Sequence, residues 1–519
     1  MVRIEAPAFD ESRRLQRLPA PAATALVFDS THGLRFSRNT NAPAWYKGRA
    51  YGPFPTTEAF ALSDDTIPQT VLFPDLFDRP LVATFDQAHA SSDGGAILLK
   101  AADARLGVIE ALTACLTDGR VSTRVAHTLQ DLVAQRVFAI ACGYPDANDA
   151  DRLADDPIQK LLLDRDPIAG AALASQPTIS RFENGVSRTE LYEMGHALAL
   201  RVVDRHQRRL HGRARRITID LDPTDDPTHG AQQLSFFNGH YDAWCYLPLL
   251  ALVTFNDERE QYLCAAVLRP GNAPATRGAL GVLRRLVPLL RTAFPKARVR
   301  VRCDGGFACP ELFAYLDEER LEYVVAMGKN AVLARAAEAA MIEVRAAHAI
   351  SGQTEHQYLD TCYQAKTWVQ PRRVIIKAEI VQHPGRSPRD NPRFVVTNLR
   401  QTPEWLYTQV YCARGDIENR IKELHHDLGL GRTSCSRFWA NQLRVLLTAA
   451  AYVLMQELRR CAARTSCARA QMATLRLRLL KLGVRVVGSV RRVVLHLPAS
   501  TPNASTWGRV AMRLGARAG

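Results

Sequence analysis

The 519-residue sequence contains no Cys-x-x-Cys pair. Its eleven cysteines stand singly, and the closest pairs are Cys303/Cys309 and Cys461/Cys467. An odd, unpatterned set excludes a disulfide framework and a clustered zinc site, and reads as the reduced thiols of a cytosolic protein. No run of about 18 uncharged apolar residues occurs, so no segment reads as a membrane span. The first residues, MVRIEAPAFDESRR, carry acids early and lack the apolar core of an export signal. Acid is missing too from Leu458 to Gly519, where thirteen Lys and Arg meet no Asp or Glu and supply +13 of the net +15. Such a segment suits salt-sensitive binding to nucleic-acid phosphates. The hydrophobic share of 47% excludes disorder throughout, and the length suggests about three domains.

Taken in order, residues 1–80 read as a partly irregular arm rich in Pro, Ala, Gly and Asn. Trp45, Tyr46, Lys47, Arg49 and Tyr51 interleave aromatics with charge there. Residues 81–210 read as a helical region for DNA binding or dimerisation. Ser92 or Asp93 is the expected cap of its first helix, and Val125, Leu129, Leu132, Val133, Val137 and Ile140 form the stripe of another, stopped at Gly143. In LASQPTISRFENGV, Ser175 caps a helix with Pro177 at an early position and Thr178, Ser180 and Arg181 on its first turn. That arrangement suits the second helix of a helix-turn-helix.

The chemistry begins in ITIDLDPTDD. Ile217, Ile219 and Leu221 alternate with Thr218, Asp220 and Asp222, as in a half-buried strand. Two carboxylates on one strand face repel unless positive charge joins them, and a divalent metal is an economical source. Two more strands, a helix from Thr276 to about Ala293 and the strand ARVRVRCD then place Asp304 at a strand end. Residues 211–330 thus read as the first part of a core, 331–400 as a β-rich insertion, 401–460 as the second part, and 461–519 as a basic C-terminal region. In that last region LRLRLLKLGVRVVGSVRRVVLHL reads as a helix and a hairpin presenting Arg491 and Arg492. In the second core part, Ile417, Ile421 and Leu424 share the inward face of a helix on which Arg414, Glu418 and Lys422 are four apart. A solvated ladder of charges has the same spacing.

Tyr411, Arg414 and Glu418, followed by an Arg-Thr-Ser loop, resemble the glutamate region of insertion-sequence DDE transposases, whose signature is Tyr, two residues, Arg, three residues, Glu, six residues, Lys. The final Lys position is His425, and Lys422 is the candidate substitute one turn earlier. Asp93-Gly94-Gly95, Gly143-Tyr144, Asp146, Asn148-Asp149, Gln176-Pro177-Thr178 and Arg181-Phe182-Glu183-Asn184 resemble the N-terminal half of the same family. Asp220, Asp222 and Thr224, then His229-Gly230 and Gln232, match its first acidic motif. The resemblance spans roughly residues 80–500 and is closest to insertion-sequence family thirteen-eighty, with a group-one DDE domain.

The resemblance implies an α/β fold: a ribonuclease-H-like mixed-sheet catalytic core with a β-rich insertion, preceded by a helical DNA-binding region. It implies Asp222, Asp304 and Glu418 as catalytic and metal-binding residues, with Asp220 as the alternative first ligand. It further implies Mg²⁺ or Mn²⁺, two ions, at that site. Arg414, Lys422, His425, Tyr411 and Asn419 are candidate DNA contacts, together with Thr178, Ser180, Arg181, Arg491 and Arg492, and Trp405 or Trp439 could stack on a displaced base. The implied reaction is cleavage at terminal inverted repeats and attack of the freed 3′-OH on target DNA, by a homodimer on double-stranded DNA, in the bacterial cytoplasm at the nucleoid and away from membranes. A non-catalytic transposase-derived DNA-binding protein and a structure-selective nuclease of the same fold are the alternatives. Two metal ions about 3.5–4 Å apart can stabilise both the attacking and leaving oxygens of an in-line displacement, so the acids suffice without a Ser or Cys nucleophile.

Overall fold

The computed structural model describes residues 70–73 and 75–517; Trp45, Tyr46, Lys47, Arg49 and Tyr51 of the arm lie outside the described residues. The chain divides into two units, Met1–Asp86 and Gln87–Gly519. In the first, Thr70–Leu72 pairs antiparallel with Leu81–Ala83.

The second unit opens with helices, α1 (Ile97–Leu106), α2 (Val108–Thr113), α3 (Leu129–Cys142), α4 (Asp149–Leu153), α5 (Pro157–Leu162), α6 (Gln176–Gly185) and α7 (Arg188–Leu210). Ala96, rather than Ser92 or Asp93, takes the cap position of α1. Asp93 instead turns inward, fully buried, onto Lys481 Nζ at 2.6 Å and Gln159 Nε2 at 3.2 Å. Helix α3 starts at a Thr128–Asp131 capping box, which leaves Val125 outside, and ends at Gly143 with φ 96°. Every residue from Leu132 to Cys142 is buried, so the expected one-sided stripe is replaced by burial all round a central helix.

A mixed sheet follows. Strands β1 (Arg216–Pro223), β2 (Leu249–Phe255) and β3 (Tyr262–Val267) run antiparallel to their neighbours, α8 (Ala279–Ala293) crosses over, and β4 (Arg298–Cys303) returns parallel to β1. After α9 (Pro310–Glu318), β5 (Glu322–Met327) pairs parallel to β4. This is the order of strand, hairpin, helix and strand expected from the sequence. Strand β1 departs from expectation in being buried on both faces, including Thr218, Asp220 and Asp222.

Residues 331–400 also differ from a β-rich insertion. They begin with the 21-residue helix α10 (Ala331–Ser351), capped by Asn330 and closed at Gly352. Nine alanines in that helix give it high helix propensity. Three strands then extend the same sheet, β6 (Glu355–Tyr363), β7 (Arg372–Val381) and β8 (Arg393–Thr397), in the overall order β6-β7-β8-β5-β4-β1-β2-β3. Their apolar faces are covered by α10 on one side and by Leu406, Tyr407 and Val410 on the other.

After α11 (Asp416–Lys422), the chain crosses the unit in α12 (Phe438–Cys461), all but three of whose 24 residues are buried. The basic end forms α13 (Met472–Leu479), the hairpin β9 (Val484–Ser489) and β10 (Arg492–His496), and α14 (Ala504–Leu514), close to the expected helix and hairpin. Strand β9 also pairs with Ala90–Ser91. A Cβ on Gly95 would stand 1.7 Å from the Leu479 carbonyl oxygen, so only glycine permits this approach of the two ends.

Candidate active site

The parallel pair β1 and β4 matches Leu221 to Cys303 in register, so Asp222 and Asp304 emerge next to each other at the same end of the sheet. Asp304 leaves its strand because Gly305-Gly306 follows: its Oδ1 accepts the Gly306 N–H at 2.9 Å.

The helical stretch after Pro403 supplies the third side. It is not a regular helix. A π-helical turn over Leu406–Tyr411 gives way to a 3₁₀ turn over Cys412–Gly415, then to α11, then to a second π turn over Glu423–Asp427. Such changes of helical width collect at functional sites. They break the expected row of Arg414, Glu418 and Lys422. Arg414 reaches instead to Asp222 Oδ1, with Nη2 at 2.5 Å, and stands 3.9 Å from Asp304 Oδ2. Glu418, Asn419 and Lys422 are exposed, while Ile417 and Leu424 are buried beneath them.

Among the described residues, no three His, Cys, Asp or Glu side chains close into a metal cage, and Arg414 holds the position between the two strand-end carboxylates. Its charge is not enough for the site. Burial pushes the Asp222 carboxyl up to about 7 against Arg414, and the nearby charges of Asp304, Asp220 and Glu418 add to the rise. Glu418 is therefore close enough to act on Asp222 electrostatically. A cluster of hard carboxylate oxygens short of positive charge fits a divalent cation such as Mg²⁺ in donor chemistry. Tyr241, from the loop before Ala243–Tyr246, faces the same field; burial raises its hydroxyl to about 12, with Asp225, Asp222 and Asp304 contributing.

Asp220, the alternative ligand, points elsewhere. Fully buried, it receives Arg302 Nε at 2.7 Å and Nη2 at 2.8 Å, and Gln261 Nε2 at 2.9 Å. The positive charge that two acids on one strand require comes, at Asp220, from a guanidinium. Nothing in the spacing of the acids points to Arg302, but its strand, RVRVRC, carries arginines at every second residue on a sheet that is buried. That pattern demands carboxylate partners, and Arg300 also finds one, Glu322, at 2.6 Å.

Around the acids, the motif residues brace the loops. His425 does not stand free at the lysine position; its Nε2 lies 3.1 Å from the Thr224 hydroxyl, and burial lowers its pKa. Thr433 of the Arg-Thr-Ser loop donates to Asp226 Oδ2 at 2.8 Å, and Gln232 Nε2 donates to the Thr433 carbonyl at 2.7 Å. Helix α11 is fastened behind Glu418 through the buried Glu423, which accepts from Tyr452 Oη at 2.6 Å and pairs with Arg459 of α12.

The remaining candidates lie apart. Thr178 and Ser180 are half-buried on α6 and Arg181 is exposed, its Nη2 donating to Thr178 Oγ1 at 3.2 Å. On that helix the buried Glu183 is gripped by Arg136 at 2.9 Å and Arg444 at 2.8 Å, which fixes α6 against α3 and α12. Arg491 and Arg492 are exposed at the tip of the β9–β10 hairpin. Tyr411 is half-buried against Tyr407, and Trp405 and Trp439 are partly exposed, the latter under Arg188.

A search of curated proteins finds no match to this chain. Among solved structures it is similar to the piggyBac transposase in a synaptic complex with hairpin DNA, at 10% identity and a TM-score of 0.39, over 76% of this chain and 81% of that one. No described helix is long and apolar enough to cross a membrane. Residues 73–517 match the family described as transposase DDE domain group 1. That match takes in both strand-end aspartates and the glutamate helix, and the chain belongs to the DDE transposase family.

Proposed function

We propose that this transposase has a ribonuclease-H-like core, belongs to the bacterial insertion-sequence family thirteen-eighty, and cuts DNA at terminal inverted repeats before joining the freed 3′-OH to target DNA. The observation that carries this reading is the placement of Asp222 and Asp304 side by side at the ends of parallel strands, with Arg414 spanning them. Asp222, Asp304 and Glu418 are the residues that would hold Mg²⁺ or Mn²⁺, in two ions. When bound, such ions activate the attacking oxygen and stabilise the leaving one.

The chain's own residues do the rest. Arg414, released from the carboxylates, turns its guanidinium to the scissile phosphate and orients it. Glu423, Tyr452 and Arg459 hold the glutamate helix in place, so Glu418 would take its share of the metal site without a costly reordering. His425 keeps the chain after Asp222 in place through Thr224. Tyr411, Asn419 and Lys422 flank the phosphate path, Thr178, Ser180 and Arg181 contact the repeat, and Arg491 and Arg492 meet the backbone from the hairpin. The working form is a homodimer that pairs two DNA ends, in the cytoplasm at the nucleoid.

The test is incubation of the purified protein with Mg²⁺ and labelled duplexes bearing the element's ends, beside Asp304→Asn. End cleavage and strand-transfer products from wild type, with binding alone from the variant, are expected. Cutting of branched DNA without strand transfer would move the protein to the nuclease reading. Binding without cutting by both proteins across divalent metals would make it a DNA-binding protein.

A further inference from the structure

At the end of the second unit opposite the carboxylates, the C-terminal ends of α1, α7 and α12 meet around a cleft of about 420 Å³ lined by Arg105, Arg205, Arg208, Arg209, His211 and Arg460. His211 lies five residues before β1, so the length of that strand, roughly 20 Å at about 3.3 Å per residue, separates the cleft from Asp222.

Arginines in last helical turns commonly offset the partial negative charge of helix ends. Here they exceed that task and their carboxylate partners. Three guanidiniums share the single Glu457: Arg460 Nη2 at 2.6 Å, Arg205 Nη2 at 3.0 Å and Arg105 Nε at 3.7 Å. Burial alone would raise Glu457, but the hydrogen bonds from Arg460 and Arg205 outweigh it and hold the carboxyl below its usual range. Arg209 is paired with Glu258 at 2.8 Å. Arg208 is exposed and makes one long bond, 3.4 Å, to the Asp204 carbonyl. Two turns before Arg208 on the same face of α7, Arg201 has a buried Nε without a partner. The buried His206, which accepts from Arg209 Nε at 3.0 Å, is held neutral: burial lowers its pKa, and Arg209, Arg205 and Arg460 lower it further.

We infer that this cleft is a second phosphate-binding site, distinct from the catalytic carboxylates, that takes the phosphate oxygens of a DNA backbone or of a free diphosphate between Arg105 and Arg208. The buried Arg205 and the half-buried Arg460 are the fixed wall, set by Glu457, while Arg105 and Arg208 at the mouth close on the anion. A B-form duplex rises about 3.4 Å per base pair, so the distance to Asp222 spans about six steps of a duplex lying along the sheet.

The test uses the full chain and the double variant Arg105→Gln/Arg208→Gln, which spares Arg205 and Arg460, the two closer cations on Glu457. Binding of a 30-base-pair duplex is followed by fluorescence anisotropy across salt concentrations, and binding of pyrophosphate by calorimetry. If DNA is the source, the double variant loses tenfold or more in affinity at about 0.1 M salt, and its slope of log K against log salt falls by about two contacts' worth. If a free diphosphate is the source, wild type binds pyrophosphate, the variant does not, and DNA binding is unchanged. Should the double variant unfold earlier on heating, Arg208→Glu alone, at the exposed position, is read the same way. Equal DNA slopes together with equal or absent pyrophosphate binding overturn the inference. End cleavage at saturating DNA is expected to be equal in both proteins, which separates this result from the catalytic reading.

Discussion

Asp226 carries the sharpest consequence of burial at the scale of single residues. Its carboxyl is fully buried, one oxygen accepts from Thr433, the other has no partner, and burial pushes it up to about 7. An unfolded aspartate titrates near 3.9. Between about pH 4 and pH 7 the folded state therefore binds more protons than the unfolded one, and stability from this group falls as pH rises. The Asp226→Asn variant is expected to unfold at a higher temperature than wild type at pH 8, by a few kcal/mol at most, and to lose that advantage at pH 4.5; equal melting shifts at both pH values would refute the assignment. Asp220 gives the complementary case. Arg302→Ala strands a buried carboxylate and is expected to cost about 3–5 kcal/mol in urea unfolding, whereas Asp220→Leu/Arg302→Met recovers most of it. If Asp220 were a metal ligand, the double variant would also lose cleavage; end cleavage close to wild type is expected. At Asp304 the replacement Asp304→Asn should lower cleavage by on the order of 10³-fold or more with duplex affinity little changed, measured in single-turnover assays.

Elements show what the sequence could and could not disclose. The alternation in β1 and β4 and the Gly-Gly after Asp304 made the two strand ends legible, because a period of two and a turn former are local signals. The helix of Glu418 was legible only in part. Ile417 and Leu424 do lie inward, but the 3₁₀ turn at Cys412–Gly415 that swings Arg414 onto Asp222 depends on packing from other segments, which periodicity cannot carry. The same holds for residues 331–400, where strand propensity was visible but membership of the core sheet was not, since pairing is a long-range choice. The fastening of α11 to α12 yields a prediction at this scale. Tyr452→Phe removes one hydrogen bond from the buried Glu423 and is expected to cost about 1–3 kcal/mol, with cleavage reduced and duplex binding kept. An unchanged unfolding midpoint and unchanged cleavage would show that this bond does not hold the glutamate helix.

Across the whole molecule, the two ends of the second unit are one structure. Lys481→Met would leave Asp93 buried without its cation, and hydrogen exchange at β9 and at Ala90–Ser91 should then rise together, while the central strand β1 stays protected. Independent rates at the two segments would separate them. This pairing of Ala90–Ser91 with Val484–Arg485 has a bearing on synthesis. At about 5–20 residues per second, an emerging chain waits on the order of 20–80 s before residue 90 can meet residue 485. Asp93 cannot meet its cation, Lys481, until that interval has passed. Ribosome stalling before residue 480 would thus yield a polypeptide that already contains every acid of the proposed site yet lacks the clasp that completes its fold.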